Sequence, residues 1–221
     1  MIDLSGKKFV ASYSGGKDSI LAVHRAIKAG LVPIGLITTY NSDADRSWFH
    51  GMSEELLQSV SDSLRIPLKL IQTTGDSYAE NFEAALMEAK AAGAEVCIFG
   101  DIDIEGHFDW CLKRCENTGL EAWFPLRDEP RKAVVYEFLD AGFSAVIKIV
   151  DTARVSDSFL GKTLTKDVVD EIERGGADIC GENGEYHTFV YDGPLFSSSV
   201  KFIASPPIQR DSYLMIDLAL E

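Results

Sequence analysis

Residues 8–26, KFVASYSGGKDSILAVHRA, decide the fold, because an apolar run, a small polar loop and an amphipathic pattern follow one another there. The apolar run at residues 9–13 is typical of a buried β-strand. Apolar side chains at helical spacing in residues 20–27 predict an α-helix. The loop between them, SGGKDS at residues 14–19, therefore lies at the carboxyl end of a strand, where open parallel sheets bind their ligands.

The rest of the chain repeats this alternation of strand and helix, which predicts an α/β fold. The expected architecture is a doubly wound parallel five-stranded sheet with a smaller C-terminal α+β subdomain. The sequence predicts one division of the chain, into residues 1–125 and 126–221. The sheet strands are expected at residues 9–13, 32–39, 68–72, 96–100 and 145–150, and the antiparallel additions at residues 185–191 and 214–218.

Three helix signals are local. Ser77 and Glu80 form a capping-box pattern, which predicts a helix that begins after Ser77. Pro130 suits the first turn of a further helix, and Gly142 suits its end. Cys111 and Cys115 are expected on one helix face, as packed thiols rather than as a metal or redox pair.

The net charge and the hydrophobic pattern of the sequence exclude several classes of protein. The formal net charge is −14, and no cluster of basic residues offsets it, so a general affinity for nucleic acid is not expected. No apolar stretch is long enough to span a bilayer, and no membrane association is expected. The first residues lack the apolar core of a signal peptide, so the expected location is cytoplasmic.

The SGGKDS loop has the composition of a phosphate cradle. Gly15 and Gly16 allow a tight turn that brings backbone N–H groups to an anion, and the following helix directs its positive end at the same place. Lys17 adds a charge, and the Ser14 and Ser19 hydroxyls add donors. Asp18 is available for Mg²⁺. The alternative is a glycine-rich turn capped by serine, without a ligand.

SGGKDS after a first strand resembles the signature of the PP-loop ATP pyrophosphatases, which share an adenine-nucleotide α-hydrolase-like (HUP, Rossmann-like) fold. FGDI at 99–102, PLR at 125–127 and CGENGEYHTFVYDGPLF at 180–196 resemble the diphthine–ammonia ligase family. The resemblance implies ATP and Mg²⁺ as cofactors. It also implies a reaction in which a carboxylate is adenylated and ammonia displaces AMP, with diphthine on elongation factor 2 as acceptor. A segment at 156–163 approaches a Walker A loop, but Ser156 replaces its first glycine.

The candidate site residues follow from the loop and from the resemblance. Asp101 follows a strand directly and is expected to hold a metal or ligand, or else to cap the next helix. Glu185 or His187 is the expected general base, with a polar hairpin turn as the alternative. Candidate catalytic residues are Lys17, Asp18, Asp101, Glu182, Glu185 and His187, and the candidate metal ligands are Asp18 and Asp101. Candidate nucleotide-binding residues are Ser12, Tyr13, Ser14, Gly15, Gly16, Lys17, Asp18, Ser19, Thr38, His50, Gly100 and Asp101.

The acceptor is the open question. Residues 103–110 and Arg127 depart from the pattern of members that act on diphthine, so an amidating enzyme for a small carboxylate, as in cobalamin salvage, stays an alternative. A tRNA-modifying PP-loop enzyme and a non-catalytic ATP sensor are further alternatives. The first conflicts with the acidic charge, and the second leaves the motif at 180–196 without a role. Free ammonia is the expected nitrogen donor, and a homodimer is left open.

Overall fold

The computed structural model describes residues 4–48 and 50–221, so Phe49 and the first three residues lie outside it. The helices are α1 (Lys17–Lys28), α2 (Glu54–Leu64), α3 (Tyr78–Ala91), α4 (Glu105–Thr118), α5 (Arg131–Asp140) and α6 (Lys166–Arg174), with a short 3₁₀ helix at Asp157–Phe159. The strands are β1 (Lys8–Ser12), β2 (Val32–Asn41), β3 (Arg46–Ser47), β4 (Leu68–Thr73), β5 (Val96–Ile98), β6 (Glu121–Trp123), β7 (Ser144–Asp151), β8 (Tyr186–Asp192), β9 (Phe202–Ala204), β10 (Ile208–Arg210), β11 (Tyr213–Met215) and β12 (Leu218–Leu220).

The chain forms two compact units that interleave along the sequence. The first contains residues 4–14, 18–48 and 65–129, and the second contains residues 15–17, 50–64 and 130–221. The chain therefore passes between the units inside the SGGKDS loop and again on either side of α2. The expected division at residues 125 and 126 stays a prediction.

The first unit is built on a parallel sheet with the strand order β4-β2-β1-β5-β6, and β3 pairs antiparallel with the end of β2. Relabelled by their order along the chain, the parallel strands run third, second, first, fourth, fifth, which is a doubly wound arrangement. The order reverses between β1 and β5, so the loops after these two strands begin where such sheets bind ligands. The α/β class and the five-stranded parallel sheet are thus confirmed.

One member of that sheet was assigned wrongly from the sequence. The apolar run at residues 145–150 forms β7, which pairs antiparallel with β8 and β11 in the second unit. The fifth parallel strand is β6, a three-residue segment that pairs with β5. The error has a physical cause, since a strand buried on both faces is an apolar run whether its neighbours are parallel or antiparallel.

Two predicted helix signals differ in outcome. α3 begins after Ser77 as expected, but the Ser77 side chain makes no capping hydrogen bond to α3, so the capping-box geometry is wrong. The Ser77 hydroxyl instead accepts from the Thr74 N–H at 3.1 Å, in the preceding turn. Pro130 is the N-cap residue of α5 rather than part of its first turn, and Gly142 follows the end of the helix with φ +89°, as the sequence predicted.

A core of aliphatic, aromatic and thiol side chains packs on the parallel sheet, with α3 and α4 contributing most of the helical contacts. Cys97, Cys111 and Cys115 belong to this core, and all four cysteines are buried thiols outside any disulfide. Burial raises the pKa of Cys97 and of Cys111, so these thiols stay protonated at neutral pH. The expectation that Cys111 and Cys115 are packed thiols is therefore confirmed.

The second unit holds an antiparallel sheet with the order β10-β11-β7-β8 and a small β9–β12 pair, so the predicted α+β subdomain is confirmed. The alternating pattern at 214–218 was predicted as one strand but supplies two, β11 and β12, which belong to different sheets. The near-match to a Walker A loop contains the short 3₁₀ helix. Within the described ranges, no helix is both long and apolar enough to cross a membrane.

Candidate functional site

In the second unit, two hydrogen bonds join the loop residues Gly15–Lys17 to strand β8. The Val190 N–H donates to the Gly15 carbonyl at 3.0 Å, and the Lys17 N–H donates to the buried Thr188 hydroxyl at 3.1 Å. Residues from the SGGKDS and CGENGEYHT motifs, far apart in sequence, are therefore in direct contact. One loop amide is already satisfied by the protein itself.

The backbone of this loop requires both glycines. Gly15 has φ +85°, a conformation that side chains with a Cβ rarely adopt. At Gly16 an added Cβ would lie 2.5 Å from His50 Cε1, because the imidazole ring packs directly on the glycine. The loop is thus a closely packed turn in which a bare backbone faces a histidine ring.

His50 and His187 form an imidazole pair beside the loop, with ring centroids 5.0 Å apart in an edge-to-face arrangement. His50 Nδ1 lies 2.9 Å from the Thr188 carbonyl oxygen and therefore donates to it, which leaves Nε2 of neutral His50 as an acceptor. The sequence placed His50 among the nucleotide ligands and His187 among the catalytic residues, and the structure brings them together.

Both imidazoles are held neutral at physiological pH. Burial, followed by the charges of Lys17 and Lys148, lowers the pKa of His187 to about 4, and the charge of Glu185 opposes this shift. Burial also lowers the pKa of His50 well below its ordinary range, with a further contribution from His187. Neutral imidazoles can accept a proton during a reaction, so the pair suits acid–base work.

Two lysines supply the positive charge of this region. Lys17 is 4% exposed, and its ammonium lies 5.8 Å from the centroid of the Tyr186 ring. Lys148, on β7, is 2% exposed, and the sequence did not point to it because it lies inside an apolar run. A lysine within a strand predicted to be fully buried was the signal that could have found it.

The acidic residues of the motif at 180–196 differ in their surroundings. Glu185 is 4% exposed, and its two carboxylate oxygens accept from the Asn183 N–H at 3.1 Å and from the Asn183 amide at 3.2 Å. Arg154 lies 3.9 Å from the same carboxylate. The partly buried Glu182 donates its backbone N–H to Asp178 at 3.2 Å. Glu185 therefore shapes the turn that precedes β8, as well as carrying a buried charge.

The remaining candidate residues lie in the first unit, at the switch in strand order. An added Cβ at Gly100, just after β5, would lie 2.9 Å from the backbone of Asp18 and Ser19, so strand end and helix start are in close contact. The Ser14 and Ser19 hydroxyls lie 3.3 Å apart. Ser12 ends β1.

Tyr13 follows β1 and is anchored by the Thr38 hydroxyl, which donates to the Tyr13 carbonyl at 2.5 Å. The Tyr13 hydroxyl is buried and has no hydrogen-bond partner within residues 4–48 and 50–221. Burial raises the pKa of this phenol, so it stays a donor. Two residues assigned to nucleotide binding are thus in contact with each other.

Asp101 and Asp18 are the carboxylates expected to hold a metal ion. Burial raises the pKa of the Asp101 carboxyl, His107 lowers it, and the nearby negative charge of Asp18 raises it again. His107 Nδ1 lies 3.1 Å from Asp101 Oδ1, a contact that the sequence did not predict. Asp101 does not cap α4, whose N-cap residue is Ile104. Two mutually repelling carboxylates are a donor set that fits Mg²⁺.

Comparison with known proteins connects this arrangement to a family. Residues 7–122 match the sequence model of the diphthamide synthase N-terminal domain, and residues 130–211 match that of the diphthamide synthase C-terminal domain. A diphthine–ammonia ligase of Danio rerio is 22% identical over 224 residues, which cover 87% of this chain and 85% of that protein. The diphthine–ammonia ligase of Homo sapiens is 22% identical over 218 residues, with 87% and 82% covered.

A predicted subunit of tRNA methyltransferase from Methanocaldococcus jannaschii overlaps 85% of this chain and 98% of its own, with 17% identity and a TM-score of 0.46. A score at this level supports no conclusion about this chain. The two family matches are of a different kind, because together they cover residues 7–122 and 130–211, which is most of the chain. They show that the chain belongs to the diphthamide synthase family.

Proposed function

We propose that this protein is an ATP-dependent ligase that adenylates a carboxylate and transfers ammonia to it. The observation that carries the proposal is the contact between the glycine-rich loop and β8. The Lys17 N–H donates to Thr188 at 3.1 Å, beside His187 and the buried Lys148. A turn that carries Lys17 and is suited to phosphate, beside neutral imidazoles suited to proton transfer, supports this proposal.

The proposed reaction has two balanced steps. A carboxylate oxygen attacks the α-phosphorus of ATP, and the bond to the bridging oxygen breaks, so pyrophosphate leaves and a mixed anhydride with AMP forms. Ammonia then attacks the acyl carbon, AMP leaves, and the nitrogen gives up one proton. Neutral His187 is the proposed acceptor of that proton, and Glu185 opposes the effect of the lysines on its pKa.

The other site residues have supporting roles in this proposal. Lys17 and the N-terminus of α1 stabilise the charge that builds up on the leaving pyrophosphate. Asp18 and Asp101 would hold Mg²⁺, which supplies charge neutralisation on the phosphates. His107 orients the Asp101 carboxylate through their 3.1 Å contact.

Diphthine on elongation factor 2 is the first candidate acceptor, because the curated relatives are named diphthine–ammonia ligases. A small-molecule carboxylate is the second, since residues 103–110 depart from the pattern of members that act on diphthine. This segment contains the start of α4, including His107, which contacts Asp101. A changed segment beside a proposed metal ligand is a reason to test both acceptors.

The decisive test is product analysis with ATP, Mg²⁺, ammonium and a panel of carboxylates that includes diphthine-bearing elongation factor. The expected result is AMP and pyrophosphate in equal amounts with one amide product per ATP consumed. ADP and phosphate would overturn the adenylation step. Amide formation from glutamine alone would overturn the assignment of ammonia as donor.

Replacing Lys17 tests the role of the loop. Lys17→Ala should abolish formation of AMP, because no other residue of the loop carries a positive charge. Lys28→Ala, a change at an exposed lysine at the other end of α1, is the matched control and should keep full activity. Full activity of folded Lys17→Ala would contradict the proposed role.

A further inference from the structure

Strand β7 contains an irregularity at Lys148. Thr188 and His187 are consecutive on β8, yet they pair with Ile147 and Ile149, so Lys148 is an extra residue on its strand. An extra residue of this kind is a β-bulge, and bulges turn a side chain away from the regular alternation of a strand. The bulge therefore lies opposite Thr188, which contacts the SGGKDS loop, and opposite His187, which belongs to the imidazole pair.

The backbone around this bulge is held firmly. The Ile216 N–H donates to the Lys148 carbonyl at 3.0 Å from one side of the strand. On the neighbouring residue, the Ile147 carbonyl accepts from the Gly161 N–H at 2.8 Å. These hydrogen bonds hold the backbone of Lys148 in place, and a ligand-binding side chain needs such a rigid support.

The charge of Lys148 acts on the same groups as the charge of Lys17. Both ammonium groups depress the protonation of His50 and of His187, so both lie within electrostatic reach of the imidazole pair. Lys148 is therefore a buried lysine on the strand that pairs with His187 and Thr188, and the Thr188 hydroxyl accepts from the Lys17 N–H.

We propose that Lys148 is a second phosphate-binding lysine, which contacts the polyphosphate of ATP together with Lys17. The inference rests on the proposed function, since it assigns a further ligand to the same anion site. In this arrangement Lys17 binds from the first residue of α1, and Lys148 binds from the β7 bulge. A polyphosphate offers several anionic oxygens, so it can contact both ammonium groups at once.

The test is isothermal titration of the full chain with inorganic pyrophosphate and with ATP, each in the presence of Mg²⁺. Lys148→Met removes the charge but keeps most of the stem, and we expect it to weaken pyrophosphate binding by about tenfold or more. Lys148→Arg keeps the charge and should recover most of the affinity. Lys162→Met removes an exposed charge from the same unit and should bind as the wild type does.

The titration of His187, followed by NMR, separates an effect of the Lys148 charge from an effect of packing alone. Loss of the neighbouring charge should raise its pKa in Lys148→Met and leave it unchanged in Lys162→Met. Wild-type affinity in folded Lys148→Met would overturn this inference alone. Wild-type protein that binds neither pyrophosphate nor ATP would overturn the proposed function, and this inference with it.

A second measurement decides the matter if Lys148→Met does not fold. In protein with ¹³C at the lysine ε-carbons, the Lys148 signal is identified by its absence from Lys148→Arg. Direct contact with pyrophosphate should shift that signal in the wild type. A signal that stays unchanged at saturating pyrophosphate would overturn the inference.

Discussion

The identity of residue 16 is fixed by the ring of His50. A methyl group at this position would lie 2.5 Å from His50 Cε1, well inside van der Waals contact. In Gly16→Ala the ring must move, and its hydrogen bond to the Thr188 carbonyl is broken or distorted. We expect a loss of about 1–2 kcal/mol in the free energy of unfolding and a larger loss of ATP affinity.

Chemical denaturation and ATP titration check this expectation on purified protein. Gly106→Ala is the matched control, since an added Cβ there meets nothing within 4 Å. Gly106 lies in the first turn of α4, where alanine should leave stability unchanged or raise it slightly. Equal stability and affinity in both variants would show that the ring does not define the loop.

The lowered pKa of His187 makes stability depend on pH. The imidazole has a pKa of about 4 in the folded protein and of about 6.5 in the unfolded chain, so between these values only the unfolded chain binds the proton. The contribution of His187 to the free energy of unfolding is therefore fully present above about pH 6.5. It decreases as the pH falls, by at most about 1.4 kcal/mol per pH unit. Burial, Lys17 and Lys148 disfavour the charged form of His187, and Glu185 favours it.

Urea denaturation across this range of pH, compared between wild type and His187→Gln, isolates the contribution. The free energy of unfolding of the wild type should fall relative to that of His187→Gln as the pH falls from neutral, because the variant has no imidazole to protonate at this position. His50→Gln should show a difference of the same sign, since burial also lowers the pKa of His50. A difference that is constant with pH would contradict the assigned direction.

At the scale of elements, the hydrophobic pattern of the sequence predicts where most strands lie, but it does not predict whether a strand pairs parallel or antiparallel. The runs that became β1, β2, β4 and β5 alternate with helices, and this alternation forces parallel crossovers. β6 is only three residues long and carries Glu121, so its pattern is too short to recognise. β7 has a strong pattern, but nothing local specifies that its partners run antiparallel.

The contrast between Ser77 and Thr165 gives a prediction about helix ends. The Thr165 hydroxyl accepts from the Val168 N–H at 3.3 Å and so caps α6, whereas the Ser77 side chain makes no capping bond to α3. Thr165→Ala should cost about 1 kcal/mol of unfolding free energy. Ser77→Ala should cost less, because the backbone carbonyl of Ser77 still accepts from Asn81 at 2.9 Å.

The two substitutions remove one hydroxyl each, so thermal and urea denaturation compare them directly. Thr165→Ser serves as the control for α6, since serine can form the same capping bond. A larger loss in Ser77→Ala than in Thr165→Ala would mean that the turn before α3, rather than the cap of α6, is the stronger restraint.

At the scale of the whole molecule, local patterns do not reveal that the two units interleave. α2 ends at Leu64, well before residue 130, yet it clusters with residues 130–221. The Ser197 N–H donates to the Ser63 carbonyl at 2.8 Å, and the Ser197 hydroxyl donates to the same oxygen at 2.8 Å. Such contacts join residues that are 134 positions apart, and the order of residues along the chain does not encode them.

The interleaving predicts that residues 126–221 do not fold alone. A fragment with these bounds lacks α2, whose Leu56, Leu57 and Val60 are buried in the intact chain. The apolar surface of the fragment that packs on α2 would therefore be exposed to water. We expect a poorly dispersed NMR spectrum from the fragment by itself. Addition of a synthetic peptide that spans residues 50–64 should restore dispersed signals, whereas a peptide of the same composition in scrambled order should not. A well-dispersed spectrum without the peptide would mean that the second unit needs only the C-terminal sequence, and the simple division at residues 125 and 126 would then describe the chain better than two interleaved units.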